Sequence, residues 1–324
     1  MASKIKTISL FCGCGGMDLG IVGGFEYLGK RYTKLPYEIM LAVDNDPYCT
    51  QIYNENFKTK CEICDVKALD EKTLDDFDLL IGGFPCQSFS ISAQNPPRLG
   101  YKDERGKLFF EMVRILKAKK PRAFIAENVK GLLSANNGKA FPMIINEFEK
   151  AGYHVVYKLL TASEYGVPQR RERVIIVGFK DESDLKAFNY PNSVRNKHVL
   201  GDVIDESANH EDKWFFSEKA VAGMMNVREK MNKGRAQALD EPCNTISSHL
   251  AKVSLNSTDP VLFYEGRYRR FTPREAARIQ SFPETFALDA VSEARQYKAI
   301  GNAVPPVMMW HVAKVLSEAL AEEQ

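Results

Sequence analysis

The 324-residue chain has no apolar run near the roughly 18 residues of a membrane span, and Met1-Ala2-Ser3-Lys4-Ile5-Lys6 leads into a strand-like run without a signal-peptide core. A cytoplasmic protein is the expectation. An excess of either charge is also missing, with 44 Lys+Arg against 42 Asp+Glu and a formal charge of +2. A binding face can be basic while the whole chain is not, so this balance leaves the partner open. Neither an internal repeat nor a low-complexity segment is present, and 44% hydrophobic with 27% charged residues excludes disorder and a fibre. Cysteine is sparse: Cys12, Cys14, Cys49, Cys61, Cys64, Cys86 and Cys243 are an odd number, scattered as reduced thiols would be. A disulfide-stapled mini-protein is excluded, and at about 150 residues per domain the length suggests roughly two domains.

What is present, from Ile5 to Gly178, is alternation of short apolar runs with longer helical periods. Ile5–Leu10, Glu38–Val43, Phe77–Ile81, Ala123–Ala126, His154–Leu160 and Val174–Val177 read as strands. Met17–Leu28, Tyr48–Asn56, Lys107–Lys117 and Ala140–Lys150 read as amphipathic helices. This alternation predicts an α/β fold with a doubly wound, mostly parallel sheet, whose ligands sit at the carboxyl ends of the strands. After about Lys180 the sequence turns polar and Asn-, Ser- and Asp-rich, which reads as a smaller, irregular domain. Residues 225–280 hold ten Lys+Arg against six acids, a local basic excess. A last helix from about Ser292 to Ala321, broken at Pro305-Pro306, closes the chain.

Chemistry concentrates at the predicted strand ends. The first strand runs into Phe11-Cys12-Gly13-Cys14-Gly15-Gly16-Met17-Asp18, where closely spaced glycines let the backbone approach a ligand. With Asp18 in the last position this is not the dinucleotide fingerprint, and an acid there favours a positive centre or amine over a pyrophosphate. Asp44-Asn45-Asp46 ends the second strand, where a carboxylate can grip a ribose diol, and Cys64-Asp65 ends the third; acids at these places also cap helices. Gly82-Gly83-Phe84-Pro85-Cys86-Gln87-Ser88 follows the fourth and offers a thiol as nucleophile, although most free cysteines are small buried hydrophobes. Glu127-Asn128-Val129 supplies an acid to the same edge, and Gln169-Arg170-Arg171-Glu172-Arg173 supplies guanidinium groups suited to an anion or carbonyl.

In this order, and over nearly the whole chain, these segments resemble the cytosine-C5 DNA methyltransferases of bacterial and phage restriction systems. Phe11 to Gly16 resembles the family's cofactor turn and Gly83 to Ser88 its catalytic Pro-Cys motif; Glu127–Val129, Gln169–Arg173 and Gly301–Val304 are similar to three further blocks. The resemblance implies a class I S-adenosylmethionine-dependent fold, in which Cys86 adds to cytosine C6, Glu127 hydrogen-bonds N3 and the exocyclic amine, and Arg173 holds O2, with Arg171 in the same block. Implied cofactor residues are Phe11, Gly13, Gly15, Gly16, Asp18, Asp44, Asn45, Asp65, Pro85, Asn302 and Ala303. The implied partner is double-stranded DNA with the target base flipped out, met by Gln87, Ser88, Ser90 and Arg105 of a mobile loop and by Thr245 and Arg270.

Thr245-Ile246 resembles the family's Thr-Leu pair, and the block from Arg270 to Arg278 resembles the one that organises target recognition. The implied division is 1–182 with 291–324 for cofactor and catalysis and 183–290 for target recognition and hinge, in a monomer with no resident metal. Zinc at Cys12, Cys14, Cys61 and Cys64 is disfavoured because the first pair lies within the cofactor turn. The usual acid-aromatic pair at the second strand end is here Asp44-Asn45, so adenine lacks that stacking face unless Phe11 compensates. Residues 24–37 are an insertion without an assigned role. Rival readings are the same chemistry on tRNA, an inactive DNA-binding relative, and a nicotinamide oxidoreductase, the last disfavoured by Asp18 and the thiol loop.

Overall fold

The computed structural model describes residues 4–85, 108–195, 197–226, 236–251 and 259–321. Its frame is a sheet of seven strands: β1 Ile5–Leu10, β2 Tyr37–Asp44, β3 Cys61–Ile63, β4 Leu79–Gly82, β5 Ala123–Val129, β6 His154–Thr161 and β7 Glu172–Phe179. Their spatial order is β3-β2-β1-β4-β5-β7-β6, parallel throughout except for β7, which runs antiparallel to both of its neighbours. The helices are α1 Gly16–Val22, α2 Pro47–Asn56, α3 Phe109–Lys119, α4 Ala140–Lys150, α5 Glu182–Ala187, α6 Glu218–Asn226, α7 Pro273–Ile279, α8 Glu293–Asn302 and α9 Pro306–Ala319. Among the described residues no helix is long and apolar enough to cross a membrane.

The central strand β4 is apolar and buried at every position because both faces are covered. Leu79 and Ile81 pack with Met17 and Ile21 of α1 and with Val312 and Leu316 of α9. Leu80, one residue out of phase, packs with Met112 and Leu116 of α3 and Ile144 of α4. That two-residue alternation between two helical layers is what a doubly wound sheet requires. A third core joins Cys49 and Ile52 of α2 and Tyr297 and Ile300 of α8 to Leu200, Val203, Leu262, Phe271 and Ala276, so the polar stretch after Lys180 still buries an apolar face.

Two expectations change here. The helix expected over Met17–Leu28 stops at Val22, because Gly23 and Gly24 both adopt positive φ and reverse the chain. The inserted segment then forms an antiparallel hairpin, Phe25–Tyr27 with Lys30–Tyr32. A Cβ on Gly23 would lie 2.2 Å from the Thr33 carbonyl oxygen, and the same oxygen accepts a 2.8 Å bond from Trp310 Nε1 on α9. The insertion is therefore a clasp between α1 and α9.

The basic strip also looks different once folded. Arg269 and Glu275 form a fully enclosed bidentate pair at 2.8 and 2.7 Å, Arg269 Nε donates to Asn209, and Glu275 closes a capping box with Thr272 at the start of α7. Arg267 pairs with Asp212 and Arg278 with Glu284, while Arg274 donates to the Phe286 carbonyl. These arginines build the region around α7, and Arg228, Lys230, Lys233, Arg235 and Lys252 lie outside the described residues. Glu275→Ala should lower the unfolding free energy by about 3–5 kcal/mol, because it leaves the Arg269 charge buried and unpaired. A urea titration would show this as a reduced midpoint; a loss no larger than the ~1 kcal/mol of a surface pair would contradict it.

Candidate active site

All the strand ends singled out in the sequence meet along one edge of the sheet. The turn after β1 is built from three glycines with separate tasks. Gly13, at φ 56, has open space where a side chain would stand. Gly15 takes φ 90 at the N-cap of α1, and a Cβ there would strike the Phe57 ring at 2.3 Å. Gly16 lets the backbone of the 303–304 segment pass, since its Cβ would lie 2.4 Å from the Val304 oxygen and 3.2 Å from Ala303. Gly13 thus borders open space while Gly15 and Gly16 are packing requirements.

Asp44 stands across from the turn. Its carboxylate accepts the Gly13 and Asp46 amide protons, both at 2.8 Å, and burial pushes its pKa up against those bonds. Half-buried Phe11 borders the turn at φ 55, Asn45 and Asn302 are exposed, and Ala303 is half-buried. Asp46 caps α2 and pairs with Lys298 of α8 at 2.7 Å; Asp65 is an exposed cap on the Lys67 amide. The helix-cap alternative weighed for these acids therefore describes Asp46 and Asp65, leaving Asp44 as the acid joined to the turn. A glycine turn open at Gly13, with an acid fixed beside it, is a shape and donor set that fits a ligand bearing a diol and an amine.

Asp18 occupies a different place from the one its spacing suggests. Its carboxylate has no exposure, and its oxygens accept the Ser9 and Tyr53 hydroxyl protons, each at 3.0 Å. It braces the turn from within. Burial pushes its pKa up to about 6 from 3.8, opposed by the two hydroxyl bonds. Between those values the folded chain keeps a proton that the unfolded chain has released, so stability falls as pH rises through the window, and the cost is fully present above it. Asp18→Asn removes this titration, and its melting temperature relative to the parent should be higher at roughly pH 7.5 than at roughly pH 4. A difference that does not change with pH would contradict this.

At the fourth and fifth strand ends, Asn128 Nδ2 donates to the Phe84 oxygen at 3.1 Å and ties the β4 loop to β5. A Cβ on Gly83 would sit 3.2 Å from Glu127 Oε2, so this carboxylate lies against the loop backbone three residues before Cys86. The reversed direction of β7 supplies its partner. Ile175 pairs with Glu127 and Arg173 with Val129, which makes Arg173 and Glu127 diagonal neighbours on one face. Their Nε–Oε1 distance is 2.8 Å, and each side chain is 11% exposed. Burial raises the Glu127 pKa, with Arg173 and then Arg171 opposing it.

Arg171 points elsewhere. Its guanidinium is enclosed and donates to the Ile246 oxygen at 3.0 Å and the Gly301 oxygen at 2.9 Å, while Nε has no partner among the described residues. Thr245 is exposed, with its hydroxyl on the Arg170 oxygen. Arg270 donates to the Lys213 oxygen and stands 5.6 Å from the Trp214 ring centroid. Pro85 is the last described residue of the thiol loop; Cys86, Gln87, Ser88, Ser90 and Arg105 lie outside the described residues.

Sequence reasoning missed Gln280, which is fully buried and donates to the Ile300 and Ala303 oxygens. The signal available was only a polar pair, Gln280-Ser281, flanked by Ile279 and Phe282.

A C-5 cytosine-specific DNA methylase family model matches residues 5–318. The Type II methyltransferase M.FnuDI of Fusobacterium nucleatum is 36% identical over 346 residues, 99% of this chain and 96% of that protein. M.Bsp6I of a Bacillus strain is 32% identical over 98% of this chain and 99% of its own length. Among solved structures, Dnmt2 of S. pombe aligns with a TM-score of 0.76 at 19% identity, covering 98% of this chain and 100% of that one. A methyltransferase of Entamoeba histolytica also gives 0.76, at 17% identity over 98% and 99%.

Proposed function

The chain belongs to the C-5 cytosine-specific DNA methylases, and from that premise we propose that its cleft methylates C5 of a cytosine flipped out of duplex DNA, through a covalent Cys86 adduct and with S-adenosylmethionine as methyl donor. It is a DNA cytosine-5-methyltransferase of the Type II restriction-modification kind. Protection of DNA against a cognate endonuclease is the biological role that follows. The observation that carries the chemical reading is the enclosed Glu127–Arg173 pair lying against Gly83 of the thiol loop.

Cys86, as thiolate, would add to C6 of the base, breaking the ring's aromaticity and turning C5 into a carbon nucleophile. Glu127, raised in pKa by burial, hydrogen-bonds N3 and the exocyclic amine and favours the protonated adduct. Arg173 holds Glu127 in place and would offer its guanidinium to O2, while Arg171, bonded to the Ile246 and Gly301 oxygens, would act by holding the segment around Thr245 in place. Once C5 carries the methyl group, loss of its remaining proton re-forms the C5–C6 double bond and expels Cys86 as thiolate. When bound, S-adenosylmethionine supplies an electrophilic methyl group on a sulfonium.

Phe11, Gly13, Asp44, Asn45, Pro85, Asn302 and Ala303 would hold that donor, the ribose diol falling to Asp44 and the adenine to Phe11, while Asp65 would serve as a cap. Gly15, Gly16 and Asp18 would act by shaping the turn. Residues 183–290 would read the target: Thr245 and Arg270, with Gln87, Ser88, Ser90 and Arg105 of the thiol loop, would meet phosphates or bases. The protein is expected to work as a monomer.

Purified protein incubated with S-adenosylmethionine tritiated in its methyl group, with duplex DNA and tRNA in parallel, should place label in 5-methyl-2′-deoxycytidine. Label confined to tRNA, or absent from both, would overturn the proposal. Sequencing of methylated cytosines would then define the site.

A further inference from the structure

We propose that Gln169 and Gln280 are positioning residues that couple the target-recognition loop to the cofactor-facing loop, so that filling the cofactor cleft orders the segment around Thr245 before DNA arrives. The proposal rests on the cofactor reading given above and extends it to two side chains that touch neither ligand. The connection can be followed atom by atom. Ile246, next to Thr245, donates its amide proton to Gln169 Oε1 at 3.0 Å. Gln169 Nε2 donates to Gln280 Oε1 and, at 3.3 Å, to the Ile279 oxygen. Gln280 Nε2 donates to the Ile300 oxygen at 3.1 Å and to the Ala303 oxygen at 2.7 Å. Ala303 and Val304 cover Gly16 of the cofactor turn. Arg171 runs in parallel, bonding the Ile246 oxygen with one terminal nitrogen and the Gly301 oxygen with the other.

Three features make this a coupling and not just a set of buried contacts. Gln169, Gln280 and Ile246 have no exposure and Arg171 has 2%, so water cannot replace a bond that is lost. The donors of both amides are all committed, so neither can adjust to a shift of one loop without releasing the other. The two loops also touch directly: a Cβ on Gly301 would lie 2.2 Å from the Ser247 oxygen, a packing that only glycine permits. Restraint applied at Ala303 therefore reaches the Ile246 amide through contacts with no slack. By linkage, a loop held in its reading conformation must favour cofactor binding by the same factor.

Hydrogen–deuterium exchange with S-adenosylhomocysteine tests the idea without turnover and without a known recognition sequence. In the wild type, saturating S-adenosylhomocysteine should slow exchange in residues 5–16 and also slow the Ile246 amide region, 243–251, by about fivefold or more. In Gln169→Met and Gln280→Met the first effect should remain and the second disappear. The double variant should lose no more of it than either single change, as members of one relay do. Should Gln280→Met fail to fold, Gln280→Asn, which keeps the amide but withdraws it by one methylene, carries the same expectation. Protection of 243–251 that is absent in the wild type while 5–16 is protected, or that survives in the variants, overturns the coupling. No calorimetric binding and no protection of 5–16 would instead overturn the cofactor reading, and the coupling with it.

Discussion

Cys86→Ser should reduce methyl transfer to DNA by on the order of 10⁴-fold or more, the scale on which enzymes fail when their nucleophile is removed. A serine hydroxyl ionises far less readily than a thiol and forms a poor nucleophile without a base beside it. The other cysteines offer no substitute. Burial pushes the Cys14 pKa up to about 12, and those of Cys49 and Cys243 higher still, and half-buried Cys64 is raised by burial and by Glu62 and Asp65 beside it. Cys61 is lowered, first by its hydrogen bond with Cys12, but both are enclosed and their sulfurs are 3.2 Å apart. Since the proposed DNA contacts come from other side chains, the variant should still bind duplex DNA in a gel-shift titration. Methyl transfer within tenfold of the parent would require a different nucleophile.

Glu127→Gln should lower kcat by about 10²–10⁴-fold, the range for loss of a positioned proton donor or acceptor. Glutamine keeps the size and one acceptor but cannot supply the proton that favours the adduct. Because burial raises the Glu127 pKa, the parent rate should show a limb above the usual carboxylate range that the Gln variant lacks. Arg173 keeps an acceptor in the amide oxygen, so the variant should fold; a circular dichroism melt would confirm that the loss is chemical. Parent-like kcat with an unchanged pH profile would remove Glu127 from the mechanism.

Where a residue's role is set by near neighbours or by alternation, it could be read in advance. Leu79–Ile81 and Ala123–Ala126 announced strands buried on both faces, and the glycines between Phe11 and Gly16 announced a turn at the ligand edge. The thiol, the acid and the arginine block were found as motifs, but not their arrangement. Nothing local in Glu172–Phe179 indicates that this strand runs backwards, yet that reversal puts Arg173 beside Glu127. Gly23-Gly24 reads as part of a helix because the apolar spacing continues through it, while the positive φ of both residues turns the chain into a clasp held by Trp310. Arg269 falls in the stretch of basic excess, yet its acid, Glu275, is six residues away and the pair is fully buried. Gln280 and Arg171 act on carbonyls supplied by distant segments, which no spacing rule foresees.

The central claim is that cytosine is methylated through a covalent bond from Cys86 to the base. The most direct test is a duplex in which every cytosine is replaced by 5-fluorocytosine, so that the adduct cannot complete the cycle by losing a proton from C5. With S-adenosylmethionine present, the protein should form a complex with this DNA that survives detergent and heat, and peptide mass mapping should place the attached base on Cys86. Production of 5-methylcytosine from ordinary DNA, with no such complex on the fluorinated duplex or with the base attached to another residue, would contradict it.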